Sequence, residues 1–214
     1  MRFLRRVGCL VLLVLLAGGV YLTRHRWLPF VTPGGRDVIA ELKWKPLTVD
    51  GAQRTRRAIA RLESYDGPVF ANVTAADFAS FLLDSTVPGI TDGRRVTQAA
   101  VMNDRILLRT NLRVADLGAE NVPLLGGVAN KTVTMVMGGT LIVQRPGLGE
   151  WVVKEIMVDA IDVPGPAISR ITQAFAKRLR RAGTRSESLG FALPARVADL
   201  RVRNDSVTLY KAAQ

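Results

Sequence analysis

The sequence predicts an α+β fold: an N-terminal transmembrane helix followed by a long curved antiparallel sheet packed on two or three helices. Three observations carry that expectation. Lys131 to Val143 runs for thirteen residues without proline, with Val133, Met135, Met137, Leu141 and Val143 on one side and Thr132, Thr134 and Thr140 on the other. That period of two is the spacing of a strand with one apolar face. Strands average about 5–6 residues, so this one is long enough to curve, and Gly138-Gly139 marks the place for a bend or bulge. Strand-like runs also flank Asn103-Asp104 and Asn204-Asp205 at hairpin spacing. Finally, apolar stripes at helical spacing occur in Asp50–Tyr65 and Ala167–Arg181.

A chain of 214 residues with 48% hydrophobic content is enough for a real core. Arg2, Arg5 and Arg6 precede Val7 to Leu22, sixteen residues without a charge. At 1.5 Å per residue this run spans roughly 24 Å against about 30 Å of hydrocarbon, so crossing draws on Phe3, Leu4, snorkelling arginines and Trp27. Ala17-Gly18-Gly19 reads as a small-x-small cleavage site, but the apolar run continues to Leu22, which favours an uncleaved anchor. Arg2, Arg5, Arg6 and the amino terminus outnumber Arg24 and Arg26, which keeps the N-terminus cytoplasmic. The expected location is the cytoplasmic (inner) membrane, single-pass, with the body in the periplasm or otherwise extracytoplasmic. Three segments follow: residues 1–26 as signal anchor, 27–49 as juxtamembrane linker with Pro29, Pro33 and Gly34-Gly35, and 50–214 as the α+β domain. Cys9, the single cysteine, lies inside the apolar run, where it reads as a small membrane-facing residue.

In the body, Ala52, Thr55, Ile59 and Leu62 form one stripe of a helix ringed by Arg54, Arg56, Arg57 and Arg61. Such arginines form a solvated face or rest on acidic headgroups. Pro68 to Val73 reads as a short strand, after which Thr74 caps a helix with Asp77 in its first turn. Phe78, Phe81 and Leu82 share a face of that helix, which ends by Pro88-Gly89. They read as core against the sheet or as the lining of a lipid cavity. Arg95 to Met102 and Arg105 to Ala115 make the first hairpin, with Ile106, Leu108, Leu112 and Val114 opposite Arg105, Arg109 and Arg113. Leu117 to Asn130 is a loop whose tip, Val122 to Leu125, is core or dips into a bilayer. The long strand turns at Pro146 to Gly149 and returns as Trp151 to Val158. Val163 to Pro166 breaks the chain before the late helix, whose stripe Ile168, Ile171, Phe175 and Leu179 makes a lid for the sheet; Arg170, Lys177, Arg178, Arg180 and Arg181 lie on its far side. Gly183 to Ser188 reads as a polar connector, and Leu193-Pro194 leads into the last hairpin of Leu200, Val202, Val207 and Leu209.

The usual catalytic groups are scarce. His25 is the only histidine and sits between Arg24 and Arg26, so the body has no Ser-His-Asp or Cys-His arrangement and no zinc site built on histidine or cysteine. Asp159 and Asp162 are the nearest approach to a carboxylate pair and read better as a solvated strand end. Phosphate-loop, dinucleotide and calcium motifs do not occur. The expectation is therefore no catalysis, no cofactor and no metal. Net charge is +12, and subtracting the five arginines of the leader leaves +7, a balance that attracts anionic surfaces. Nucleic acid fits poorly, because no binding motif occurs and the aromatics are not interleaved with the arginines.

The basic leader, the anchor, the helix starter Val73-Thr74-Ala75-Ala76-Asp77-Phe78, the paired long strands and the late helix before Leu193-Pro194 and Asn204-Asp205 together resemble small membrane-anchored extracytoplasmic proteins of the YpmS kind. More broadly, the layout over residues 68 to 210 resembles the lipid-binding TULIP and AsmA-like envelope proteins. The resemblance implies a coiled antiparallel sheet wrapping a helix, an apolar groove for acyl chains, and no catalytic residues. On that reading the curved sheet binds or helps transfer membrane lipids, anionic ones above all. Phe78, Phe81, Leu82, Val133, Met135, Met137, Leu141, Ile171 and Phe175 would meet acyl chains, and Arg54, Arg57, Arg61, Arg178 and Arg181 would meet headgroups. The high arginine content departs from that layout and makes the basic surface a second candidate for the working part. The rival reading is a structural or assembly scaffold that binds an envelope protein partner through its sheet, with its apolar faces used as core.

Overall fold

The computed structural model describes residues 39–84, 97–113, 132–159, 161–179 and 185–212. The protein divides into two compact units, Met1–Glu41 and Leu42–Gln214, and the architecture below is that of the second. The expected anchor, most of the linker and the loop 117–130 lie outside the described residues. Among the described residues, no helix is long and apolar enough to cross a membrane.

The fold is α+β with antiparallel pairing, in the order β1 (Lys45–Pro46), α1 (Val49–Glu63), β2 (Phe70–Thr74), α2 (Ala75–Asp84), β3 (Thr97–Met102), β4 (Arg105–Arg113), β5 (Thr132–Arg145), β6 (Leu148–Val158), β7 (Ile161–Asp162), α3 (Gly165–Leu179), β8 (Ser188–Ala192), β9 (Val197–Arg203) and β10 (Ser206–Lys211). Residues 42–49, which read as the end of a linker, already carry β1 and the cap of α1. The strands form two sheets where one long curved sheet was expected. The larger has seven strands in the order β1-β3-β4-β5-β6-β7, with β8 also alongside β6; the smaller is β2-β10-β9. The division arises because the last hairpin pairs with β2, Val207 facing Val73 and Leu209 facing Ala71. No local pattern signals a pairing over that sequence distance.

Short-range chemistry sets the element ends. Thr48 caps α1, its hydroxyl accepting from Gly51 N–H at 3.0 Å, and Thr74 caps α2 through Asp77 N–H at 3.1 Å. The last hairpin turns through Asn204 and Asp205 with φ of 47° and 64°, both positive as a type I′ turn requires. The β5–β6 turn is the single pair Pro146-Gly147, tighter than the four residues expected, with Gly147 at φ 86°. Proline followed by a positive-φ glycine suits a type II turn.

The expected irregularity falls at Gly138-Gly139. Gly138 faces Glu155 while Gly139 faces Val153, so Lys154 is the extra residue on β6 and it is exposed. This one-residue bulge explains the broken alternation of β6: Trp151 and Val153 face the core before it, Ile156 and Val158 after it. β8 escapes sequence reading for a different reason. Four of its five residues, Ser188 to Phe191, are buried, and a strand covered on both faces has no period of two to detect.

One core joins α1, α2 and α3 to the inner faces of both sheets, with Phe78, Met135, Trp151, Ile156, Ile171, Phe191 and Leu209 almost wholly removed from water. The opposite face of the large sheet is not a bare arginine surface. Ala100, Leu107, Val136, Val152 and Met157 are buried there, and Arg109 stacks 4.4 Å above Trp44 while donating to Gln98.

Candidate functional site

The strand positions read as an acyl-binding face point into the core. Val133 pairs with Leu112, Met137 lies between Leu108 and Ile156, and Leu141 faces Trp151. Val133, Met135, Met137, Leu141, Phe78, Leu82 and Ile171 are all buried in the same cluster, against which the partly buried Phe81 and Phe175 pack. Phe78 meets Phe191 edge-on at 5.9 Å and Phe81 at 6.1 Å. A void of about 10 Å³ remains between α2 and the sheet, lined by Phe78, Ala79, Leu82, Ile106, Leu108, Leu141 and Trp151. Holding one water takes roughly 10–15 Å³, so this void takes no aliphatic chain. The structure thus brings the predicted residues together, as mutual packing partners. Period-two apolarity is the same whether a strand face meets a lipid or a helix, which is why spacing did not separate the two.

The predicted headgroup arginines divide. Arg54 is committed to Asp77, donating from Nε at 3.0 Å and from Nη2 at 2.6 Å. The hydrogen bond first, then the charge of Asp77, raise the Arg54 pKa above its ordinary value, and the pair clamps α1 to α2. The carboxylate at the base of α2 thus gives this guanidinium a partner within the fold, while its side chain stays about half exposed at 53%. Arg57 and Arg61 are exposed. The side chain of Arg178 and all of Arg181 lie outside the described residues.

Asp159 is likewise engaged. Its carboxylate accepts from Thr134 N–H at 2.8 Å, and its own N–H donates to Thr134 O at 2.9 Å, which fixes the chain where β6 ends. Among the described residues, no three His, Cys, Asp or Glu side chains gather where a metal ion could sit.

Sequence reading missed the loop joining α1 to β2. Five large apolar residues are exposed among the described residues, and Tyr65 and Val69 of this loop and Phe70, the first residue of β2, are three of them, at 82%, 73% and 51%. The loop is tied down firmly. Ser64 donates its hydroxyl to Arg61 O at 2.7 Å, Gly67 N–H donates to Ser64 O, and Lys211 N–H reaches Val69 O at 2.8 Å. Two cations from the C-terminal part of the chain meet carbonyls at the α1 end: Arg196 donates to Glu63 O at 2.8 Å and Lys211 Nζ to Ser64 O at 2.9 Å. Helix C-termini leave such carbonyls unpaired and favour positive charge. Phe70 lies 6.3 Å from Tyr210, whose ring is covered by Arg201 at 5.0 Å. The signal is present as apolar residues on both sides of the turn pair Gly67-Pro68, but Tyr65 reads as a helix end and Val69 as part of the strand that begins only at Phe70.

No family model, curated protein or solved structure matches the chain.

Proposed function

We propose that the chain is a non-catalytic envelope module, tethered to the cytoplasmic membrane by its N-terminal segment, whose body is a scaffold that binds on its surface. One observation carries this reading over that of a lipid carrier: among the described residues, those best placed by sequence to hold acyl chains pack on one another in the core, with a void of about 10 Å³ beside Phe78 and Trp151. The scarcity of catalytic side chains, with His25 and Cys9 both in the leader, supports a binding role. The uncharged run Val7–Leu22 behind three arginines supports the tether.

Native mass spectrometry of the full chain extracted in detergent tests the choice. A bare mass, once loosely held lipid has been stripped, is the expected result. Stoichiometric phospholipid retained after stripping would return the molecule to the lipid carriers.

A further inference from the structure

We infer that the loop joining α1 to β2, together with the first residue of β2, is a bilayer-docking surface, in which Tyr65, Val69 and Phe70 enter the headgroup level of an acidic phospholipid membrane while Arg57 and Arg61 engage its phosphates. This rests on the reading of the chain as a tethered envelope module and names the surface to which that module binds.

Three observations point to this occupant. The first is composition and exposure: three large apolar side chains stand 51% to 82% exposed within six residues, and a tyrosine and phenylalanine flanked by arginines is the residue set that seats at a membrane interface. Charge is the second. Arg57 and Arg61 lie four apart on the exposed side of α1 and lead straight into the loop, while Arg196 and Lys211 bring two further cations to its base by bonding backbone carbonyls, which leaves their charge unneutralised. Glu63 and Asp66 are the acids on the same stretch, and the whole chain carries +12, so the field favours an anionic surface. The third is stiffness. The loop is held by hydrogen bonds from Ser64, Gly67, Arg196 and Lys211, so its apolar tip is presented without ordering on contact, and the cost of binding falls accordingly. A tether to the same membrane keeps the loop at high effective concentration over it, so even weak contact is populated.

The test uses the full chain with Cys9→Ser and Tyr65→Cys, labelled at residue 65 with an environment-sensitive fluorophore. It is reconstituted in bilayer discs of phosphatidylcholine alone or mixed with phosphatidylglycerol, and also mixed with preformed vesicles of both compositions. The expected result is co-elution with discs of either composition, with a blue-shifted emission quenched by spin-labelled lipid in the acidic discs only. Arg57→Glu with Arg61→Glu should abolish the shift while leaving co-elution intact. Co-elution with an unshifted label in acidic discs overturns the docking loop and leaves the tether standing; a protein partner for this loop would give that outcome. A chain that fails to co-elute, yet shifts on adding acidic vesicles, overturns the tether and keeps the docking surface. Failure of both overturns both. Tyr65 is exposed, so its replacement spares the core, and an unchanged thermal midpoint verifies that each variant is folded.

Discussion

Trp151 lies across Gly139 on the core side of the bulge, with its indole Nε1 2.7 Å from the place a Cβ on Gly139 would occupy and the carbonyl of Val152 only 2.3 Å from it. The neighbouring Gly138 opens the other way, where a Cβ would meet the Glu155 carboxylate at 2.4 Å. The pair of glycines thus lets a tryptophan close over one side of β5 and a glutamate over the other.

The two glycines should not cost the same to replace. Gly139→Ala presses on backbone and a buried indole and is expected to destabilise by about 1–3 kcal/mol, the range for overpacked interiors. Gly138→Ala presses on a flexible side chain that can swing away from its Arg105 partner at 3.6 Å, and is expected to cost less. Urea midpoints of the two variants give the order; a reversed order would contradict the packing described.

Replacing Met135 or Met137 separates core from groove. Both are buried, so alanine at either should destabilise by about 2–5 kcal/mol, with the same loss in the presence and absence of added phospholipid. A lipid-lining residue would instead leave the empty protein's stability nearly intact.

Phe191 was not singled out by its sequence context, yet it is almost wholly buried and meets Phe78 edge-on. Phe191→Ala is expected to cost about 3–5 kcal/mol, and Phe191→Leu clearly less. Calorimetric midpoints of both variants decide it.

Asp77 and Arg56 contrast a part-buried clamp with an exposed ion pair. Asp77 has a side chain 12% exposed and takes two hydrogen bonds from Arg54; its replacement by alanine should lower the thermal midpoint by several degrees. Arg56 pairs with Asp84 at 2.6 Å but is half exposed, and exposed pairs contribute little, so Arg56→Ala should leave the midpoint nearly unchanged.

Ser186 donates its hydroxyl to Glu187 at 2.7 Å. That bond favours the carboxylate and holds the Glu187 pKa below its ordinary value. Its contribution to the fold is therefore present above the ordinary carboxylate pKa and is lost as pH falls through the depressed one. Ser186→Ala should move the Glu187 titration midpoint upward, as followed by NMR of its carboxyl carbon; an unmoved midpoint would assign the shift elsewhere.

Much of the fold was legible because it is local. The α1 stripe at Ala52, Thr55, Ile59 and Leu62 is the buried one, Thr74 is the cap of α2, and the bulge sits at Gly138-Gly139. Each depends on neighbours within a few residues, where backbone geometry and hydrogen-bond reach leave few alternatives. The candidate site was less legible. Arg54 reads like Arg57 and Arg61, and only the approach of α2 turns it into the partner of Asp77. Tyr65 reads as a helix end and Phe70 as the strand residue it is, and only the docking of Lys211 and Arg196 fixes the loop between them.

By itself the sequence determined the three helices of the body, the long strands β4 to β6 with the apolar face of β4 and β5, and the last hairpin, because periodicity and caps act within one element; β1 and β8 carry no such period. Tertiary structure alone decided that the last hairpin completes β2 and that the methionine face of β5 meets Ile156, Leu108 and the rest of the packed core. An apolar face gains the same release from water whatever covers it, so its occupant is set by the distant segments that reach it first and fill it best.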